Sequence, residues 1–333
     1  MPNSLIIKSK LPRFNKIISV SGDKSLSIRW ILFSSIANGV SKASNLLMSE
    51  DILAAIRTIG KFGIKSKFYK NNCSIFGKGF DGYNYKKNLT INAKNSGTLG
   101  RLILGLLINT PHPIKLIGDK SLSKRDFTRI SKPLSKFGAK FRLRNNKNLP
   151  LIISGSKELK PIKFIETKGS AQCKSSVIFA GMRTNGKTTI KAKKSRNHTE
   201  LLCKYLNLPV TVKSKKNYDE IKIKKVRVIK PLNYKIPSDI SSSAFFIVLT
   251  ALSYNSELLI KNVNINPSRI GIYYILKKMG IKIKFQNKKI YKGEKIADIK
   301  IKSSNSIKPI NCPVKYNTSA IDEFLVVFLL AAK

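Results

Sequence analysis

TIGKFGIKSKF, residues 58–68, decides how the chain is read. It is the end of an apolar-periodic helix, then a glycine, then an alternating strand. The same order returns in PLSKFGAKFRL at 133–143 and in ILKKMGIKIKF at 275–285. A residue just past a helix often needs a positive φ, which glycine adopts without steric penalty. Gly63, Gly138 and Gly280 lie 75 and 142 residues apart, so a copy is missing midway, and KYLNLPVTV puts Asn207 there. Asn is the next-best residue for the left-handed conformation. The intervals become 75, 69 and 73, a repeat of roughly 70 residues.

A second series precedes the first in every copy. Small polar clusters open apolar helices at SGDKSLSIRWILFSSIA (21–37), NSGTLGRLILGLLI (95–108), GSAQCKSSVIFAGM (169–182), SDISSSAFFIVLTAL (238–252) and SAIDEFLVVFLLAA (319–332). Each unit therefore reads helix, strand, helix, glycine, strand, which makes the class α/β, of the α+β kind. Only the first helix of a fifth unit precedes Lys333. An apolar helix without neighbours leaves its face in water. The repeat thus predicts that this is a fragment of a six-unit protein with about 100 further residues.

Apolar residues make up 42% and charged residues 24%, ordinary values for a globular protein with sizeable cores. The net charge of +47 is not ordinary. Lysines neutralise phosphates in nucleic-acid binders, but here they are scattered through every unit rather than gathered in a tail or stripe. Nor are they interleaved with stacking aromatics. Nucleic acid is therefore not an expected partner, or at most a non-specific one. Cys73, Cys173, Cys203 and Cys312 are widely spaced with no CxxC, and the only histidines are His112 and His198. That spacing supports neither a zinc site nor a disulfide framework. No signal peptide and no run of 18 apolar residues is present, so a soluble, cytoplasmic protein is expected, without a membrane partner.

Helix starts expose unpaired N–H groups and the positive end of the helix dipole, so they bind anions. One such start per unit, rich in Ser, Thr and Gly, points to a fold that gathers them around a phosphorylated ligand. The first carries Lys24, Ser25 and Arg29. The second, NSGT, holds Asn95, Gly97 and Thr98, with Arg101 one turn on; GDKSLSKRDF then supplies Lys124 and Arg125 in what reads as a loop. GSAQCKSS offers Ser170 and Gln172, SRNHTE a capping box in which Ser195 and His198, or Thr199 and Glu200, fix the next helix, and the last helix opens on Asp322 and Glu323. Any one of these alone reads equally as an ordinary cap, a basic surface loop or dipole complementation.

In order along the chain, SGDKSLSIR, NLLMSEDI, NSGTLGR, GDKSLSKR, SAQCKS, SRNHTE, PSDISSSA, NPSRIG and AIDE resemble the 5-enolpyruvylshikimate-3-phosphate synthase family, the 3-phosphoshikimate 1-carboxyvinyltransferases. The resemblance implies a two-lobed enolpyruvyl-transferase fold of βαβαββ units, three per lobe. Residues 21–237 would be a complete lobe; 1–20 with 238–333 would be the second, missing its last third to half. It also implies a shikimate-pathway enzyme that transfers the enolpyruvyl group of phosphoenolpyruvate to the 5-hydroxyl of shikimate 3-phosphate, as a monomer, with no metal or cofactor. Lys24, Ser25, Arg29, Ser170, Ala171, Gln172, Ser195 and Asp322 would bind shikimate 3-phosphate. Lys24, Gly97, Arg125 and Gln172 would bind phosphoenolpyruvate, with Asn95, Thr98, Arg196 and Glu323 nearby. Asp322 would accept the hydroxyl proton, and Lys24 would share the catalytic work.

Three residues depart from the family pattern. Ser21 and Asp126 stand where proline is common, and Gly100 stands where a larger apolar residue is usual, which predicts loose packing behind the NSGT turn. The family's later motifs have no counterpart up to Lys333, so the resemblance implies an inactive chain as it stands. Two rivals remain on the sequence. One is UDP-N-acetylglucosamine enolpyruvyl transfer on the same fold, which relies on a reactive cysteine. The other is a degenerate, basic nucleic-acid-binding relative.

Overall fold

A computed structural model describes residues 9–332. Strand β1 (Asn15–Ile18) comes first. The first repeat follows as α1 (Lys24–Ser35), β2 (Asn38–Ser44), α2 (Glu50–Lys61), β3 (Lys65–Tyr69) and β4 (Asn72–Lys78). The second is β5 (Leu89–Asn92), α3 (Gly97–Leu106), β6 (Ile114–Ile117), the short α4 (Lys120–Ser123), α5 (Thr128–Ser135), β7 (Lys140–Arg144) and β8 (Asn148–Ser154). The third is β9 (Lys163–Glu166), α6 (Ala171–Gly181), β10 (Lys187–Lys193), α7 (His198–Tyr205), β11 (Val210–Ser214) and β12 (Tyr218–Lys224). After β13 (Tyr234–Lys235) come α8 (Ile240–Leu252), β14 (Glu257–Asn264), α9 (Gly271–Lys278), β15 (Ile283–Tyr291) and β16 (Glu294–Lys302). Two helices close the described chain, α10 (Asn317–Ala320) and α11 (Phe324–Ala331).

Each repeat makes one four-stranded sheet of the same order, β5-β6-β8-β7 and β9-β10-β12-β11 being the uninterrupted cases. The first strand lies parallel to the second, and the last two add antiparallel. That is βαβαββ, with α3 or α6 as the crossover between the parallel strands. The other two sheets take their first strand from elsewhere in the chain. β13 supplies it in β13-β2-β4-β3, and β1 supplies it in β1-β14-β16-β15. The αL positions anticipated from sequence are all realised: φ is 76° at Gly63, 115° at Gly138, 57° at Asn207 and 85° at Gly280.

The chain forms two compact units. The larger is Gly22–Ile236 with Lys292–Glu294; the smaller is the remainder of the described chain. In the larger unit the opening helices α1, α3 and α6 pack together beneath the sheets. Residues Leu26–Ser35 and Cys173–Gly181 are buried without exception, so α1 and α6 lack a solvent face. Phe33 of α1 meets Phe179 of α6 with ring centroids 4.9 Å apart. In the smaller unit α8, α9 and α11 pack on the sheet through Ile240, Ile247, Ile272, Ile275, Val327 and Leu330. Phe245 and Leu249 of α8 and Leu325, Phe328 and Leu329 of α11 stand exposed, Leu325 at 82%. Among the described residues no helix is long and apolar enough to cross a membrane.

The packing behind Gly100 is not loose. A Cβ there would meet Ala93, Phe127 and Leu122 at 3.4–3.7 Å, ordinary van der Waals contact. Phe127 and Leu122 fill the space that a larger residue would occupy. One methyl fits, and a helix-interior glycine costs about 0.5–1 kcal/mol relative to alanine. Gly100→Ala is therefore expected to raise stability by about that amount, read as a higher denaturation midpoint at unchanged slope.

Candidate active site

Side chains just before the helices build the opening turns. Asp23 caps α1 by accepting from Leu26 N at 2.9 Å, Ser96 caps α3 from Leu99 N at 3.3 Å, and Ser170 caps α6 from Cys173 N at 3.2 Å. Asp239 caps α8 from Ser241 N at 2.7 Å. Each cap satisfies one of the orphan donors of the first turn and leaves others directed outward. Ser170 accepts in its cap, so its hydroxyl proton remains available to a ligand. The capping box expected at SRNHTE does not form: α7 starts at His198 after Asn197 with no side-chain cap bond. Ser195 Oγ is buried with no hydrogen-bond partner among the described residues.

In the larger unit the starts of α3 and α6 are tied by one amide. Gln172 donates through Nε2 to Thr98 Oγ1 at 3.0 Å, and its Oε1 accepts from Arg101 Nη1. One amide hydrogen and one lone pair of Gln172 remain for a ligand. Arg101 stacks over the Phe127 ring at 5.5 Å, and burial together with Arg125 and Arg129 holds its pKa below the usual guanidinium value. A Cβ on Gly97 would lie 3.0 Å from Arg125 Nη1 and 3.3 Å from Arg101 Nη1, so glycine lets both cations approach this helix start closely. Asn95 turns the other way and donates to Asp119 Oδ2 at 2.6 Å. Asp119 also caps α4 through Leu122 N at 2.7 Å, so part of the expected GDKSLSKRDF loop is a helical turn. Asp126 accepts from Thr128 N at 2.7 Å, an Asx turn that starts α5 and stiffens this position as proline would.

Lys24 and Arg29, one turn apart on α1, have different surroundings. Lys24 is half exposed with Nζ 3.3 Å from Asp51 Oδ2. Arg29 points into the unit: Nε donates to Thr199 Oγ1 at 2.7 Å, Nη2 to Ser175 Oγ at 3.2 Å and Nη1 to the Ser25 carbonyl at 2.9 Å. Burial pushes its pKa down to about 10, against the pull of Glu200 and Asp23, so it stays cationic at neutral pH. Arg29 thus braces the Ser25 turn from below. Ala171 opens α6, and Ser25, Ala171 and Arg196 are half-buried.

The smaller unit holds a second cluster. The expected last helix is broken, because α10 ends at Ala320 and α11 begins at Phe324. Asp322 and Glu323 lie in the break and face Arg269, whose Nη2 is 3.7 Å from Asp322 Oδ2 and 3.8 Å from Glu323 Oε1. Asp239 Oδ1 is also 3.8 Å from that nitrogen. Arg269 carries no sequence signal of its own beyond the quoted motif NPSRIG, whereas Arg101 is visible one turn after NSGT.

Cysteine chemistry has no foothold at Cys73. It is buried in β4, and burial pushes its thiol up to about 12, far from a thiolate nucleophile. That removes the reactive cysteine on which the UDP-N-acetylglucosamine rival depends.

Helix starts beside guanidinia in the larger unit, and a carboxylate cluster around Arg269 in the smaller, define a class of βαβαββ-repeat proteins whose helix starts suit anionic ligands. Comparison with known proteins narrows the class. The chain belongs to the EPSP synthase (3-phosphoshikimate 1-carboxyvinyltransferase) family, whose model matches residues 9–333. It is 39% identical over 317 residues to the 3-phosphoshikimate 1-carboxyvinyltransferase of Ruthia magnifica subsp. Calyptogena magnifica, covering 95% of this chain and 71% of that protein. It is 38% identical over 329 residues to the one from Thermoanaerobacter sp. strain X514, covering 98% of this chain and 75% of the relative. The EPSP synthase structure from Acinetobacter baumannii superposes with a TM-score of 0.86 at 35% identity, covering 96% of this chain and 72% of that one.

Proposed function

We propose that the chain carries the reaction its family is named for, the transfer of the carboxyvinyl group of phosphoenolpyruvate to the 5-hydroxyl of shikimate 3-phosphate. The observation that carries this reading is the larger unit's paired helix starts, with Arg101 and Arg125 against Gly97 and Gln172 joining α3 to α6. Two guanidinia beside open backbone donors suit a carboxylate and a phosphate on one small molecule. Gly97, Arg125 and Gln172 hold phosphoenolpyruvate. Ser170, Ala171, Ser195 and the Lys24–Ser25 turn braced by Arg29 hold shikimate 3-phosphate. Asn95, Thr98, Arg196 and Glu323 support these groups. Lys24 offsets the charge of both ligands.

Asp322 accepts the hydroxyl proton as the oxygen bonds to C2 of phosphoenolpyruvate, while the methylene carbon takes up a proton. Loss of a proton from the new methyl group and departure of phosphate restore the vinyl group. The cations work by placing the reactants and offsetting charge. The protein acts as a monomer in the cytoplasm, and its four free thiols suit a reducing compartment.

Calorimetric titration with each substrate, alongside phosphate release with both, tests this. Arg125→Met is expected to weaken phosphoenolpyruvate binding about 50-fold, the worth of one charge-assisted contact pair, with shikimate 3-phosphate binding unchanged. If the unaltered chain takes up neither substrate, the proposal fails; uptake without phosphate release would match the inactive chain that the resemblance implies.

A further inference from the structure

Arg269 is almost wholly buried, yet it belongs to no sheet and packs no apolar core; its neighbours are carboxylates. It sits in a turn before α9 that is fixed by its own hydrogen bonds. Arg269 N donates to Asn266 O at 2.8 Å, and Asn266 Oδ1 accepts from Ser268 N at 3.0 Å and Ser268 Oγ at 2.7 Å. From there Nη2 donates to Ser241 Oγ at 2.7 Å, and that hydroxyl donates in turn to Glu323 Oε1. The Ser241 backbone N–H donates to Asp239. One guanidinium and one serine therefore connect the start of α8 to the start of α11.

We propose that Arg269 is a positioning residue: through Ser241 and Glu323 it fixes the Ala320–Phe324 break and so holds the Asp322 carboxylate in place. This rests on the reading of Asp322 as proton acceptor. Three carboxylates gathered at two helix starts repel one another, and helix dipoles do not supply the directional bonds that set a side chain's position. Arginine supplies both, because its planar fork offers several donors at fixed angles. Glu323 is buried and bonded, which pins the backbone next to Asp322; Asp322 itself is left half exposed and able to meet a substrate. Lysine, a single point donor, cannot reproduce the fork.

The test uses the full chain with Arg269→Met, Arg269→Lys and Ser241→Ala. Displacing a reacting group by about 1 Å lowers turnover about 100-fold, so Arg269→Met is expected to lose kcat by about that factor. The KM for shikimate 3-phosphate should change less than about threefold, because Asp322 acts mainly in the transition state. Arg269→Lys and Ser241→Ala should fall between, and added guanidinium should restore part of the Arg269→Met loss. Hydrogen exchange supplies a readout independent of turnover, with faster exchange confined to 320–331 and the β15–β16 hairpin unchanged. Normal kcat, or unaltered exchange at 320–331, overturns the proposal. A loss that guanidinium does not restore, with the hairpin exchanging faster too, makes Arg269 merely structural and also overturns it. Where the native chain shows no turnover, the exchange result alone decides for or against the placement, and substrate uptake decides the proposed function.

Discussion

Gly105→Val is expected to unfold the larger unit in conditions where the native protein is stable. Gly105 sits where α3 crosses α6, and a Cβ there would lie 2.2 Å from the Ser176 carbonyl oxygen and 2.9 Å from its carbon. These are backbone atoms of a buried helix, so no side chain can rotate away; the two helices must separate. Overpacking of a close-packed core typically costs about 1–3 kcal/mol and more where the backbone has to shift. A β-branched residue at this crossing falls in the upper part, about 3 kcal/mol or more. That is a large share of the roughly 5–15 kcal/mol available to a domain.

The same separation would reach the site. The α3–α6 crossing lies one to two turns below the Gln172 link to Thr98 and Arg101, and the three helix starts keep their spacing only while the helices stay in contact. Trp30 gives a clean readout, being the sole tryptophan, buried in α1 and bonded through Nε1 to the Leu232 carbonyl at 2.8 Å. Its fluorescence follows the larger unit alone. A urea midpoint within about 0.3 M of the native one, which at ordinary slopes is under 1 kcal/mol, would mean that the helices yield without cost.

Much of this fold is legible in the amino-acid order, because repetition multiplies weak signals. One glycine after a helix means little; three in register and an asparagine at the fourth position state a repeat, and all four adopt positive φ. The opening helices are legible for the same reason, through their small polar starts. The first strand of each sheet is not. β13 is two residues long and exists because Tyr234 and Lys235 pair with Ala43 and Ser44, some 190 positions away. No local pattern announces such a strand, since its partner supplies most of its stability.

The site divides along the same line. Helix starts and the residues on them are readable from sequence; which way a side chain turns is not. Lys24 and Arg29 share a helix end, but Ser175 and Thr199, from two other helices, draw Arg29 inward. Gln172 reads as a ligand donor, but nothing local shows that Thr98 and Arg101, some seventy residues earlier, take up half of its amide and fix its orientation. Arg269 shows no periodicity and belongs to no helix, so only the convergence of three carboxylates on it marks it out.

Lys174→Met is expected to destabilise the larger unit by about 3–5 kcal/mol, the cost of leaving one partner of a buried pair uncompensated. Lys174 lies in α6 and Glu200 in α7, with Nζ 2.6 Å from Oε1 and both side chains shut away from water. Methionine matches lysine's length, so volume is kept and the loss is electrostatic. Glu200 then carries its charge in a low-dielectric site with, among the described residues, only Arg29, beyond ion-pair distance, to offset it, which is unfavourable. Lys174→Met combined with Glu200→Leu removes both charges and should recover most of the loss, since apolar replacement of a buried pair is often neutral or stabilising. The pair adjoins Ser175 and Thr199, the two hydroxyls that hold Arg29 and that bond each other at 2.7 Å. The double variant therefore separates two roles. Recovered stability with weak shikimate 3-phosphate binding would mean that the Lys174–Glu200 pair, beyond joining α6 to α7, fixes the hydroxyls that aim Arg29. Recovered stability with native binding would confine the pair to the fold. A single variant that loses less than about 1 kcal/mol would show Glu200 finding water or a proton at little cost, against its burial.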